Sequence, residues 1–384
     1  MPKSRRVVAV LAGTVLVGAG IGGASVVSNA TAPGDRVNQE DTFQIARLTG
    51  PGSINATDER WNVYGTDLGS MFEHRGQIYQ AFGDTFGAPG QPPQFGVDWR
   101  SNVMAFNRDR DPWDGLTFEG MITDEDGNAK ELLPSAHFGI NPDGDFETTV
   151  IPTYGVSDGK RMYLHYKSVR EFGVPGEWTL NYSAIAFSDD DGETWVQPPE
   201  SRWDGDSNFG QAAIVKQGNH AYFFGIPAGR FGGVQLARVE MQDILDLDRY
   251  QYWDGDTWRT GEEQAAETIV PAPVGELSVR WNSHYKKWLM MYLNDTPRPE
   301  WGTGAVVIRT ADCLTGPWSE ESVVVTSIEV PQLYAPYMPP RWNNGPDIFF
   351  TLSRFNFYDV FWWHTSLTDE PAGTERAHPA RCVQ

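Results

Sequence analysis

Apolar residues along this chain recur with the two-residue period of strands, and polar turns interrupt them at regular intervals. Five hairpin-like segments stand out, over residues 65–86, 147–169, 210–229, 275–295 and 335–354. Each contains a polar turn: Arg75-Gly76, Asp158-Gly159, Gly218-Asn219, Ser283-His284, and Asn343 to Gly345. A further apolar strand follows each hairpin, over residues 102–106, 183–187, 234–238, 305–308 and 358–362. The units lie roughly 60 to 80 residues apart, a repeat that suits strand-rich propeller blades. The expected fold is therefore all-β, a single five-bladed β-propeller over residues 42–384. A β-sandwich with elaborated loops is the competing architecture. The alternating stretch 43–48 would supply the outer strand of the last blade and close the ring. Residues 239–247 are the best candidate for a short helix.

The first 41 residues break this pattern. Lys3, Arg5 and Arg6 precede an apolar run over 7–27, and small residues follow. Residues 1–32 are read as a signal peptide, with cleavage expected after Ala30, or as an uncleaved N-terminal anchor. Residues 33–41 are polar and read as a linker. The folded part is thus expected to be secreted or attached to the cell envelope. Two cysteines, Cys313 and Cys382, suit one disulfide in such a setting.

Composition narrows the function. A formal net charge of −21 argues against nucleic acid and anionic membrane surfaces as partners. Fifteen tryptophans are many for this length. Most fit core packing, and the remainder would be stacking platforms for sugar rings. With two cysteines and seven scattered histidines, no zinc spacing arises. There is no G-x-S-x-G elbow, P-loop, H-E-x-x-H or dinucleotide fingerprint, so neither a metal nor another cofactor is called for. Ser188-Asp189-Asp190-Asp191-Gly192-Glu193-Thr194-Trp195 has the spacing of an Asp box, a structural turn on propeller rims.

The first hairpin holds the strongest chemical signal. If Arg75-Gly76 is a two-residue loop, its register sets Asp67 opposite Asp84 at the open end. Like charges so placed destabilise a strand pair, and such a breach often marks a functional site. Turn capping is the structural alternative for each. In a propeller the inner strands line a central funnel, and their beginnings carry Asp67, Glu147, Gln211, Glu276 and Tyr337. The ends of the second strands add Asp84, Lys167, Asn294 and Arg354, and Asn102 heads the next strand of the first unit. Glycoside hydrolysis needs one carboxyl as acid and another as base or nucleophile, and crowding pushes their pKa values apart. Asp67 and Asp84 are the expected catalytic pair; Asn102, Glu147, Gln211, Glu276, Asn294 and Arg354 are the expected substrate contacts. Glu147 has a structural alternative, a salt bridge to Arg170 across its own hairpin. Glu276 has no obvious cross-strand base. His165 is expected to be a satisfied core or rim residue.

Gly65-Thr66-Asp67, Phe82-Gly83-Asp84-Thr85-Phe86-Gly87 and Arg100-Ser101-Asn102 resemble a family of actinobacterial secreted proteins. That group, long called a domain of unknown function, is identified with the endo-D-arabinanases of glycoside hydrolase family 183. The resemblance runs from about residue 42 to the last strand unit and is most specific in the first blade. It implies a five-bladed propeller that cleaves α-linked D-arabinofuranose chains of mycobacterial arabinogalactan and lipoarabinomannan. It also implies that Asp67 and Asp84 are the catalytic acids. Related five-bladed furanosidases spread three acids over three blades, and Gln211 at the third-blade position departs from that scheme.

The expected function is that of a monomeric, secreted, endo-acting glycoside hydrolase with an arabinan substrate. The competing function is a non-catalytic cell-surface glycan-binding propeller. A sialidase-like enzyme fits less well, because the funnel offers chiefly Arg354 where that chemistry needs an arginine cluster.

Overall fold

The computed structural model describes residues 35–88, 97–368 and 382. Five antiparallel sheets form the blades of a β-propeller. Blade one contains Gly65–His74, Gln77–Phe86, Val103–Asn107 and Gly120–Met121. Blade two contains Thr149–Ser157, Met162–Phe172, Trp178–Ser188 and Arg202–Asp204. Blade three has Gln211–Gln217, His220–Ile226 and Gly232–Glu240, with Gln251–Trp253, Trp258–Thr260 and Thr268–Val274 on its outer side. Blade four contains Leu277–Asn282, Lys287–Asn294, Ala305–Ala311 and Ser322–Thr326. Blade five takes Leu333–Tyr337, Asp347–Arg354 and Asp359–Ser366 from the end of the chain and Phe43–Arg47 from its beginning.

That last pairing closes the ring as expected, with Phe43 opposite His364 and Arg47 opposite Phe361. Asp359 is fully buried at the closure and pairs with Arg47. Residues 35–41, expected to be a linker, instead dock on the same edge. Val37 bridges to Leu367, and the Asn38 N–H donates to the Ser366 carbonyl at 2.8 Å. The unpaired backbone at the end of Asp359–Ser366 gives this polar stretch partners. The reading of residues 1–32 as a signal or anchor lies outside the described residues. Cys313 and Cys382 form a disulfide, with Cα atoms 5.4 Å apart.

Local chemistry explains both the hairpins and the missing helix. Arg75 and Gly76 have φ of 48° and 75°, so both central residues of the first turn are left-handed, as a two-residue hairpin loop requires. The second loop is longer than Asp158-Gly159: strand pairing resumes only at Ser157 with Met162. Residues 239–247 do not form a helix. The third strand of blade three runs through Glu240, and only the 3-10 turns Met241–Asp243 and Leu247–Arg249 follow. The Asp246 carboxylate accepts from the Asp248 N–H, and such side-chain bonds compete with helical ones.

Inner and second strands are buried on both faces because blades stack against one another. Every residue of Gln77–Phe86 is buried. The tryptophans divide as expected of core residues, with Trp203, Trp301, Trp318 and Trp362 all buried. The Asp box is a rim turn. Asp190 accepts from the Thr194 N–H at 2.9 Å and its hydroxyl at 2.6 Å, and the Trp195 indole N–H reaches the Gly192 carbonyl at 3.0 Å.

Candidate active site

The blade-one hairpin carries a break where its acids sit. Gly65 pairs with Phe86 and Thr66 with Thr85, then Leu68 pairs with Phe82 before the register recovers at Ser70 and Ala81. One residue, Asp67, therefore faces two, Gly83 and Asp84, across a bulge. The expectation of direct Asp67–Asp84 opposition is corrected accordingly. Leu68 and Gly69 take φ of 65° and 97° at the break. The Leu68 N–H lost to the ladder donates instead to the Ser353 hydroxyl of blade five at 3.0 Å. A Cβ at residue 83 would lie 2.5 Å from Asp67 Oδ1, so the carboxyl needs a glycine beneath it.

Asp67 keeps some exposure and accepts from the Tyr334 hydroxyl at 2.9 Å and from that of Tyr358. Its pKa is raised to about 7, first by burial and then by the Asp84 charge, while the tyrosine bonds oppose the rise. Asp84 is 3% exposed. Its Oδ1 accepts from the Trp99 indole N–H at 2.8 Å and from the Thr149 hydroxyl at 2.6 Å. Burial raises its pKa to about 6 against those two bonds. The edge of Trp99 meets the His137 ring with centroids 4.3 Å apart, and His137 Nε2 lies 2.8 Å from Glu131 Oε1. That hydrogen bond raises the His137 pKa, and a positive charge on the imidazole favours ionised Asp84. Both acids therefore hold their protons well above the usual carboxylate range, and ionising one opposes ionising the other. A protonated carboxyl beside an ionised one is the arrangement acid–base chemistry needs.

Across the funnel the charges are balanced differently. Lys167 Nζ donates to Gln211 Oε1 at 2.6 Å and lies 4.2 Å from the centre of the Trp178 ring. Burial lowers its pKa to about 8, although the carboxylates of Glu276, Asp67 and Asp84 pull the other way. Glu276 Oε1 accepts from Arg230 Nε at 3.0 Å and Nη2 at 2.9 Å. Arg230 comes from the loop after the second strand of blade three, so no pairing within the blade-four hairpin could reveal it. Tyr337 is buried close enough for Glu276 and Asp67 to act on its hydroxyl. Asp67, Asp84, Lys167, Gln211, Glu276 and Tyr337 therefore share one electrostatic environment.

The remaining expected contacts are placed otherwise. Asn102 is fully buried; its Oδ1 accepts from the N–H groups of Leu132 and Leu133, and its Nδ2 donates to the carbonyls of Leu133 and Val150. Its amide is committed to the backbone, which corrects the expectation that it meets substrate. Glu147 accepts from the Ala136 N–H at 2.9 Å and the Ser168 hydroxyl at 2.6 Å. Arg170 bonds Asn181 and Asp145 instead, so the alternative Glu147–Arg170 bridge does not form. The inner strand starts only at Thr149, leaving Glu147 in the preceding short strand. Asn294 donates to Glu321 at 3.0 Å and accepts from the Thr296 N–H at 3.2 Å, again a local bracing role. The Arg354 guanidinium lies 4.5 Å from the Phe357 ring centre and forms no ion pair among the described residues. His165 is buried in the core as expected, with Nδ1 2.7 Å from the Thr153 hydroxyl, although its Nε2 has no hydrogen-bond partner among the described residues.

Tyr334, Tyr358, Thr149, Trp178 and Arg230 were not anticipated. Only distant pairing brings them to the acids, although Trp99 adjoins the Arg100-Ser101-Asn102 motif. Among the described residues, no group of three or more His, Cys, Asp or Glu is arranged to hold a metal ion. No described helix is long and apolar enough to cross a membrane.

Fold and site together define a five-bladed propeller with two coupled carboxyls in its funnel. Residues 52–364 match the family described as "Domain of unknown function (DUF4185)", and the chain belongs to that family. Notoamide biosynthesis cluster protein J' of Aspergillus versicolor is 32% identical over 77% of this chain and 81% of its own. Notoamide biosynthesis cluster protein J of Aspergillus sp. (strain MF297-2) is 33% identical over 71% and 74%. Among solved structures, a protein of Bacteroides ovatus ATCC 8483 matches with TM-score 0.56 and 12% identity, over 88% of this chain and 97% of that one. The α-L-arabinofuranosidase PaAbf62A of Podospora anserina, in complex with cellotriose, matches with TM-score 0.49 and 10% identity, over 88% and 98%. At such identities the likeness is one of fold.

Proposed function

We propose that this protein is a secreted or envelope-attached glycoside hydrolase that cleaves within α-D-arabinofuranan chains. The carrying observation is the pair of raised carboxyls, Asp67 at about 7 and Asp84 at about 6, beside one another in the funnel. Asp67, the later to ionise, protonates the departing glycosidic oxygen. Asp84, oriented by Trp99 and Thr149, activates water or attacks the anomeric carbon. The choice of substrate rests on the blade-one motifs and their resemblance to the endo-D-arabinanases. An exported protein would meet such polymers in arabinogalactan or lipoarabinomannan. The relatives' names place them in notoamide biosynthesis clusters and specify no reaction, so they leave the polymer untouched as a hypothesis.

Incubation with mycobacterial arabinogalactan should release new reducing ends. Asp67→Asn and Asp84→Asn should each lower that rate by at least about 10³-fold while circular dichroism stays unchanged. Near-normal turnover in either variant removes that residue from the mechanism. Binding without cleavage by the unsubstituted protein would replace the enzyme with a glycan-binding propeller.

A further inference from the structure

A cavity of about 410 Å³ opens between blades two and three, lined in part by Glu171, Glu177, Trp178, Thr179 and Phe231. Its volume falls within the range of roughly 300–1,000 Å³ typical of small-ligand sites. Two docked loops build it. The Arg230 N–H donates to the Gly176 carbonyl at 2.9 Å, joining the loop between the second and third strands of blade two to the loop before the third strand of blade three. A Cβ at residue 176 would meet the Phe231 ring at 2.9 Å, so a glycine there lets the ring lie close. Phe231 nevertheless keeps 46% of its surface exposed.

The cavity joins the chemistry through Trp178. Lys167 lies over its ring, with the Arg230 guanidinium 5.9 Å from the ring centre. Arg230 in turn lies 5.2 Å from the ring of Tyr334, which donates to Asp67. Trp178 Nε1, in the cavity wall, is buried without a hydrogen-bond partner among the described residues; Gln211 Nε2 and Glu276 Oε2, likewise unpartnered, belong to the funnel rather than to the cavity lining. Gln211 and Glu276 are 3% and 4% exposed. An unpaired buried donor is costly, and the Trp178 indole N–H, in a cavity that Phe231 also lines, suits a hydroxyl-bearing ligand. Glu171 and Glu177 give the lining carboxylate acceptors and negative charge, which suit a neutral hydroxyl-bearing ligand over an anionic one.

We propose that this cavity is a distal glycan subsite, holding residues of a neutral polysaccharide beyond the bond that is cleaved. It gives the funnel a preferred side for the chain to leave and favours long substrates over short ones. The inference rests on the glycosidase reading, and the experiment separates the two. Asp67→Asn protein is titrated by calorimetry with a linear arabinofuranosyl oligosaccharide long enough to span both sites and with the disaccharide. Phe231→Ala on that background should weaken the long ligand about fivefold, and Thr179→Trp, which fills the cavity, by tenfold or more. Neither should change disaccharide binding. If both variants bind the long ligand as tightly as their parent, the subsite is refuted, while cleavage by the unsubstituted protein would leave the glycosidase reading standing. If the parent binds neither ligand and the unsubstituted protein cleaves nothing, both fall.

Discussion

Asp67 and Glu276 enter the same funnel from the inner-strand ends of blades one and four, yet their environments differ. Glu276 sits where the strand pairing is regular from Leu277 onward, and it accepts two bonds from Arg230. Asp67 sits on a bulge and receives only tyrosine hydroxyls, with a second acid as its charged neighbour. Arg230 thus gives Glu276 a charged partner through two hydrogen bonds. A buried acid with another acid keeps its proton up to neutral pH and can exchange it. A cation alone does not set this, since Asp359 pairs with Arg47 and burial still raises its pKa to about 7; what distinguishes Asp67 is the second acid beside it.

The sharpest way to break this contrast is to remove the cation. Arg230→Met should destabilise the fold by about 3 kcal/mol, because a buried carboxylate is left without its partner. The low end of the range applies, since Arg230 is 19% exposed. Adding Glu276→Gln should restore most of the loss, and denaturant unfolding at pH 8 measures both. If Arg230→Met costs nothing, Glu276 is not held as the contrast requires.

Asp67 should show the opposite behaviour. Its folded pKa of about 7 lies above the unfolded value of 3.8, so the folded state binds the extra proton between them. Stability from this group is greatest at low pH and is lost as pH rises from about 4 to 7. Asp67→Asn should therefore become progressively more stable than the unsubstituted protein across that window, with the gap level above it. Thermal unfolding scans at stepped pH read the difference, and a gap that shrinks with rising pH would contradict the raised pKa.

The outline of this contrast was legible in the sequence, but its decisive parts were not. Period-two patterning and Arg75-Gly76 specified the hairpins, because turn chemistry and alternation are local. The five-blade repeat and the closing strand followed from the same pattern. What escaped were effects of distant packing: the bulge at Asp67, supported by Ser353 from another blade, and Arg230 reaching Glu276 from a loop. Asn102 misled for a related reason. A polar residue near a site looks like a substrate contact until its hydrogen bonds are traced to backbone groups more than thirty residues away or close to it.

Two conservative substitutions should divide the acid pair in the pH dependence of kcat/KM. The unsubstituted protein should give a narrow bell, rising through about 6 as Asp84 ionises and falling through about 7 as Asp67 does. Thr149→Val removes a hydrogen bond that favours ionised Asp84, so the acidic limb should move up by about one pH unit. The bell then narrows and its maximum falls severalfold. Tyr334→Phe removes a bond that favours ionised Asp67. The alkaline limb should move up by somewhat less, since the Tyr358 hydroxyl still reaches the carboxyl. The two variants thus shift opposite limbs in the same direction, one narrowing the profile and the other widening it. If Thr149→Val moved the alkaline limb instead, the roles of acid and base would have to be exchanged, and Asp67 would be the group that attacks or activates water.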